Sequence, residues 1–306
     1  MFSLHMDTAH HLTYRKYPEP VALLRLIKPI TWFPPIWAYL CGSVATGVSL
    51  WENFGLVLVG MILAGPIVCG MSQAANDWCD RHVDAVNEPD RPIPSGRVPG
   101  RWGLWIALAM TGLALGVGSI LGPWGAAATL IGIAAAWAYS AEPIRLKRSG
   151  WWGPGLVGLS YEGLPWFTGS AVLLGALPSW ENMLLALLYA LGAHGIMTLN
   201  DFKAIEGDQK MGIRSLPVQL GANRAAQLAC LIMLIPQCIV IGFLFFIEQE
   251  IHAFFVGILV LAQLALMRYF LFDPIKRALF YSGFGVPLFV GGMMIAAFGI
   301  RNLGGQ

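Results

Sequence analysis

Charge is what this sequence has least of. Only 12% of its 306 residues are Asp, Glu, Lys or Arg, about half the share of an ordinary soluble domain. Two separate water-soluble domains, the usual reading of this length, are therefore excluded. Cysteine is also sparse. The five cysteines (41, 69, 79, 230 and 238) show no paired spacing, which argues against a disulfide framework or a thiolate metal site. Short alternating segments, the mark of a membrane β-barrel, are missing too. No cleavable leader is expected, because residues 1–28 are mixed polar and charged and the first apolar run has the length of a full span.

What is present is long apolar sequence. Hydrophobic residues make up 57% of the chain, in runs of about 20 residues, enough to cross a hydrocarbon layer of about 30 Å. The pattern predicts an all-α polytopic membrane protein with about nine transmembrane helices, near 30–50, 54–76, 102–121, 123–141, 155–176, 180–199, 225–247, 250–270 and 279–300. Scattered Gly and Pro suit packed membrane helices. With nine spans, 18 of the 19 Lys and Arg residues fall on one side and only Arg301 on the other. The positive-inside rule then places the amino terminus in the cytoplasm.

One cluster breaks the apolar pattern. "NDWCDRHVDAVNEPDRPIPSG", residues 76–96, carries Asp77, Asp80, Asp84, Glu88 and Asp90 directly after a membrane-like run, far more charge than a helix anchor needs. A second copy, "NDFKAIEGD" at 200–208, matches it in Asn76/Asn200, Asp77/Asp201 and Asp84/Asp208. Each copy closes an even-numbered span, so the chain reads as two four-helix repeats plus a ninth helix. As one domain over 1–306 it divides into a cytoplasmic segment 1–28, repeats at 29–150 and 151–275, and a ninth helix and tail at 276–306.

On a helix, Asp77, Asp80 and Asp84 share an arc of about 60°. Asp201 and Asp208 share a face if their helix continues, whereas Glu206 points about 140° away from Asp201. Two carboxylate stripes converging on one cavity would repel each other unless a cation lay between them. Hard oxygen ligands around open space suit Mg2+ together with a substrate phosphate. These acids are expected to serve turnover rather than folding. Arg81, Arg145, Lys147, Lys203 and Lys210, with Asn76 and Asn200, are the diphosphate-binding candidates, and Lys28 could reach the same cavity. Solvated helix ends would be the bland reading of a lone Asp, but two copies with matched spacing argue against it.

Here the sequence resembles the UbiA superfamily of intramembrane prenyltransferases, through "RLIKPITW", the two Asp motifs, "YSAEPIRLKR" and "EGDQKMGIRSLPV". Within it, "DAVNEPDRPIPSG" is similar to the chlorophyll and bacteriochlorophyll synthase branch, the bacterial members most of all. The resemblance implies a nine-helix fold and Mg2+-dependent transfer of a geranylgeranyl or phytyl group from its diphosphate. The acceptor it implies is the propionate of a chlorophyllide or bacteriochlorophyllide. Asp77, Asp80, Asp84, Asp201 and Asp208 would hold the metal. Ala204 stands where many members carry a further acid.

A multi-pass protein of the bacterial inner or intracytoplasmic photosynthetic membrane is implied, with its active site facing the cytoplasm. Other pigment-synthesis or pigment-binding membrane proteins are its expected company, and nucleic acid is not. Tyr161, Glu162 and His194 are acceptor-site candidates inside spans, although helix packing is the commoner use of such a histidine. Two rivals remain open. One is prenylation of an aromatic quinone precursor by the same kind of enzyme. The other is divalent-cation transport, which the arginines beside the acids disfavour.

Overall fold

The computed structural model describes residues 16–301 and 303. The rest of the expected cytoplasmic segment (1–15) and of the tail (302 and 304–306) lies outside the described residues. The chain is helical, and among the described residues the only β-type contact is a single bridge between Ser149 and Arg214.

Fourteen α-helical segments follow in order: α1 (Pro20–Ile27), α2 (Phe33–Ala45), α3 (Phe54–Ile62), α4 (Gly70–Asn87), α5 (Trp102–Ile120), α6 (Gly122–Ser140), α7 (Trp152–Gly158), α8 (Leu164–Leu174), α9 (Trp180–Asp201), α10 (Ile205–Met211), α11 (Leu216–Leu220), α12 (Ala222–Phe246), α13 (Glu250–Phe272) and α14 (Pro274–Ile300). Two of the breaks are wide π turns and not chain reversals. Leu63–Cys69 joins α3 to α4, and Leu159–Gly163 joins α7 to α8. Pro66 lies inside the first turn and Pro165 stands two residues past the second. A proline removes one backbone donor and its ring crowds the preceding turn. Widening that turn keeps the rod continuous.

Six helices among the described residues are long and apolar enough to cross a membrane: Phe54–Asn87, Trp102–Ile120, Trp180–Asp201, Ala222–Phe246, Glu250–Phe272 and Pro274–Ile300. The other three expected spans are helical but fall short on length or hydropathy. α2 has 13 residues, about 20 Å of helix. α6 is diluted by Gly and Ala, and the α7–α8 rod by Gly, Pro and Glu162.

Close helix approach accounts for the glycines where α2 meets α8. A Cβ on Gly42 of α2 would stand 1.9 Å from the Trp166 carbonyl oxygen, and one on Gly169 of α8 would stand 2.2 Å from that of Tyr39. The two backbones therefore touch, as small residues permit in membrane helix pairs. Trp166 is fully buried, stacks on Tyr189 at 6.0 Å, and donates its indole N–H to Asn182 at 2.7 Å. Gln237 and Gln263 pair through both amides where α12 meets α13, which satisfies polar groups that would be costly alone at that depth.

Candidate active site

One end of the bundle gathers the charge. α4 carries Asp77, Asp80 and Asp84, and three other segments bring cations to them. Lys28, just after α1, donates to Asp77 Oδ1 at 2.7 Å. Arg91, in the loop after α4, reaches Asp84 Oδ2 at 3.0 Å and Asp77 Oδ1 at 3.4 Å. Its other nitrogens form a fork on Glu88, at 2.6 and 2.8 Å. In the loop after α6, Arg145 reaches Asp80 Oδ1 at 2.8 Å and Lys147 donates to the same oxygen. Lys147 also donates to Asn76 Oδ1 at 3.1 Å. Asp77 and Asp84 are buried, so these contacts are protected from solvent screening.

Backbone strain marks the same cations. Among the described residues only three non-glycine positions have positive φ, and two of them are Lys28 (44°) and Arg145 (40°). Such a conformation costs on the order of 1–3 kcal/mol and persists where the surroundings enforce it, commonly at functional sites. Burial lowers the Lys147 pKa, opposed by neighbouring Asp80, so this amine is held near the carboxylates at a desolvation cost.

The second copy of the motif is built differently from expectation. The helix does not run on through Asp208: α9 ends at Asp201, a turn over 202–204 buries Phe202, and α10 starts at Ile205. Tyr139, at the end of α6, lines a cavity together with Asn76 and Asn200. The leading asparagines of the two motifs therefore line one cavity, and none of the five carboxylates is in its lining. Burial pushes the Asp208 carboxyl up. The loops carrying this charge are tied by backbone: Gly150 N–H donates to Arg214 O at 2.8 Å, and Arg214 N–H donates to Arg148 O at 3.0 Å.

Below the charged end lies a cavity of about 310 Å3. Asn76 and Asn200, the matched asparagines, both line it, with Gln73, Tyr139 and Ser140. Its walls are otherwise mostly small and apolar, including Leu63, Val68, Ala128, Gly132, Ala136 and Leu164. Both π turns contribute to the wall. Across it, Tyr161 OH accepts from Gln73 Nε2 at 3.0 Å and stands 3.3 Å from Cys69 Sγ.

The remaining candidates separate clearly. Arg81 is not at the acids; its guanidinium lies over the Trp78 ring at 4.0 Å and donates to the Trp78 carbonyl. Lys203 and Lys210 are exposed and make no ion pair among the described residues. His194 Nε2 sits 3.1 Å from Trp151 O, outside the cavity lining, in a helix-packing role. Glu162 is buried with Oε2 unpartnered, beside the lining but not part of it. Arg91 is the residue that sequence reasoning missed. Its signal was the i, i+3 pair Glu88–Arg91, which folds the loop back over α4.

As to metal, no three His, Cys, Asp or Glu side chains stand together as a binding group among the described residues. The donor chemistry fits Mg2+ all the same. The acids are hard oxygen ligands, and Asp77 Oδ2 is buried with no hydrogen-bond partner.

The family model for the UbiA prenyltransferase family matches residues 31–298. The bacteriochlorophyll synthase 33 kDa chain of Cereibacter sphaeroides is 66% identical over 289 residues, spanning 94% of this chain and 96% of that one. The chloroplastic chlorophyll synthase of Oryza sativa subsp. japonica is 38% identical over 284 residues, spanning 90% and 75%. A solved structure of a UbiA homolog from Archaeoglobus fulgidus bound to GPP and Mg2+ superposes with a TM-score of 0.68. At 18% identity, over 90% of this chain and 99% of that one, it is alike in fold. The chain belongs to the UbiA prenyltransferase family.

Proposed function

We propose that this protein esterifies the propionate of bacteriochlorophyllide with a geranylgeranyl or phytyl group, releasing diphosphate. The observation that carries this reading is the 66% identity over 94% of the chain to a bacteriochlorophyll synthase. The cavity supports it, because a largely apolar space whose lining Asn76 is held by Lys147 of the charged loops suits a lipid diphosphate. The solved homologue with GPP and Mg2+ shares the fold.

In this reading Asp77, Asp80, Asp84, Asp201 and Asp208 hold Mg2+, which would neutralise the diphosphate and make it a better leaving group. Lys28, Arg91, Arg145 and Lys147 supply the cationic contacts, and Asn76 and Asn200 orient phosphate oxygens at the rim. The apolar wall takes the prenyl chain and excludes water from the reacting carbon. The allylic C–O bond breaks, its electron pair leaves with diphosphate, and a propionate oxygen forms the new C–O bond. An ordinary carboxyl group, which titrates at about pH 4, is already ionised at neutral pH. No basic side chain is then needed, in keeping with His194 being engaged at Trp151.

The nine-span, two-repeat layout and the cytoplasmic active site of an inner or intracytoplasmic membrane complete the proposal, resting on the one-sided basic residues. The test is an assay of purified membranes with Mg2+, geranylgeranyl diphosphate and a panel of acceptors. The panel holds bacteriochlorophyllide, its propionate methyl ester, chlorophyllide and 4-hydroxybenzoate. Only free propionates should react. Prenylation of the methyl ester at a similar rate would rule out ester formation.

A further inference from the structure

One face of the α4 rod stays polar inside an otherwise apolar span. Cys69, at the end of the first π turn, and Gln73 and Asn76 of α4 follow one another at steps of four and three, and all three line the cavity. Steps of that size keep side chains on one helix face. Across from them stands Tyr161 of the second π turn, also in the lining. Gln73 Nε2 donates to the Tyr161 hydroxyl at 3.0 Å, and Cys69 Sγ stands 3.3 Å from it. The hydroxyl forms no other hydrogen bond among the described residues. Its first partner is a donor and its second a weak acceptor at most. The oxygen is thus held by two side chains while its proton has no strong acceptor in the protein. Cys69 is fixed in turn, 3.3 Å from the Thr31 carbonyl. Packing alone does not account for this group, since a phenylalanine would fill the same wall without polar atoms in need of partners.

We propose that the Tyr161 hydroxyl, aligned by Gln73 and Cys69, binds the carboxylate of the prenyl acceptor. This rests on the prenyltransferase reading and deepens it. Depth separates acceptor from donor here. Gln73 lies three residues before Asn76, about 4.5 Å further from the charged end along the helix. A prenyl diphosphate with its phosphates at that end has only hydrocarbon at the level of Tyr161, and hydrocarbon has no use for an O–H. The acceptor is the substrate that brings a polar group to that level, because its carboxylate must leave water to meet the allylic carbon. An ionised carboxylate without partners there would be strongly disfavoured. Lys28, Arg91, Arg145 and Lys147 are engaged with the α4 acids, and none of them lines the cavity. Tyr161 supplies the donor that the carboxylate needs. One carboxylate oxygen accepts its hydrogen bond. The other is left free to stand about 3–3.5 Å from the carbon whose bond to diphosphate breaks. Gln73 and Cys69 act through Tyr161 and are positioning residues.

The test compares bacteriochlorophyllide and its propionate methyl ester as ligands of the purified full chain, by absorption titration of the macrocycle in detergent. A hydrogen bond to a charged oxygen outweighs one to a neutral oxygen by about tenfold in affinity. Tyr161→Phe keeps the ring and removes the donor, so the ratio of free-acid to ester affinity should fall about tenfold. Gln73→Leu leaves the hydroxyl without its alignment and should move the ratio in the same direction, also where Tyr161→Phe does not accumulate. A merely structural role would weaken both ligands alike and leave the ratio in place. In transfer assays Tyr161→Phe should raise the KM for bacteriochlorophyllide and leave that for geranylgeranyl diphosphate unchanged. A ratio that Tyr161→Phe does not move, or a KM that rises for the donor and not the acceptor, would overturn the proposal. Prenyl transfer by the unaltered protein is scored separately. Transfer to free bacteriochlorophyllide with a ratio indifferent to Tyr161 would refute the anchor and not the function. No transfer, with a ratio that still depends on Tyr161, would refute the function and not the anchor.

Discussion

Replacing Asp77 by Ala probes two roles in one side chain. From spacing alone Asp77 belongs to turnover. The structure adds a structural load, because its side chain is 2% exposed and takes Lys28 at 2.7 Å and Arg91 at 3.4 Å. Removing one partner of a fully buried pair costs about 3–5 kcal/mol, whereas an exposed pair is worth about 1 kcal/mol or less. Lys28 and Arg91 keep 28% and 26% of their side-chain exposure, and water can partly resolvate them. Asp77→Ala should therefore cost about 2 kcal/mol, between those limits.

The assay is thermal unfolding in detergent beside initial-rate measurements. At about 2–4 °C per kcal/mol for chains somewhat shorter than this one, the midpoint should fall by several degrees. Lys28→Met combined with Asp77→Ala removes the charge pair as a unit. It should recover much of the lost stability while transfer stays at least about 100-fold down, near 2.7 kcal/mol on the barrier. If the two single changes instead add independently in the double variant, Lys28 and Asp77 are not coupled and the argument fails. Asp77→Ala with full activity would remove it from the site altogether.

Other outcomes follow from the same geometry. Chelating divalent metal, or changing Asp84 or Asp208 to Asn, should lower turnover at least about 100-fold in the acceptor-panel assay with the protein still inserted; near-normal rates would remove metal from the reaction. Gly150→Val should uncouple the two basic loops, because even a Cβ there would stand 2.5 Å from Leu216 N and 2.7 Å from Arg214 O. A raised KM for the prenyl donor would show it. Gly132→Leu has room at Cβ, 3.5 Å from Leu164, but its branch would enter the cavity. Discrimination between 20-carbon and 10-carbon donors should shift toward the shorter one by about tenfold, the effect of a few misplaced methylenes. Reporter fusions after Gly96 and after Gln306 should report opposite sides of the membrane; the same compartment at both would end the nine-span layout.

What could be read without coordinates was what local geometry controls. Acids at steps of three and four on α4 share a face in any helix, and Asn76 and Asn200 line one cavity as their repetition suggests. Arg81 misled because chain proximity is not spatial proximity. One residue past Asp80 is about 100° around the helix, where Trp78 offers its ring and carbonyl. Arg91 was missed for the converse reason. It reaches Asp84, seven residues back, only because the chain turns at Glu88, and helix periodicity says nothing about residues past that turn. The continuity of α9 into Asp208 was likewise undecidable from period alone, since burying Phe202 in the turn competes with continuing the helix. The apolar runs pointed to nine spans, whereas the structure's helices discount α6 and α7–α8 on hydropathy, and small and polar residues of these helices leave and line the cavity.

That discount connects composition to chemistry. A cavity beside a bilayer cannot be walled by Leu and Phe alone, because large side chains would fill it. Ala128, Gly132, Ala135 and Ala136 leave space on one side, and the π turns at Leu63–Cys69 and Leu159–Gly163 shift side chains on the others. The result is uncharged, with amides at the end beside the charged loops and apolar residues and scattered hydroxyls along the rest. A prenyl diphosphate entering headgroup-last would put its charge among Leu63, Val68 and Leu164 without partners, a loss of many kcal/mol. Its chain would then lie among Asp80, Arg145 and Lys147. The opposite orientation satisfies both ends at once. The direction of binding, and hence the placing of the breaking C–O bond at the mouth beside Asn76 and Asn200, follows from that difference before any single contact to the substrate is considered.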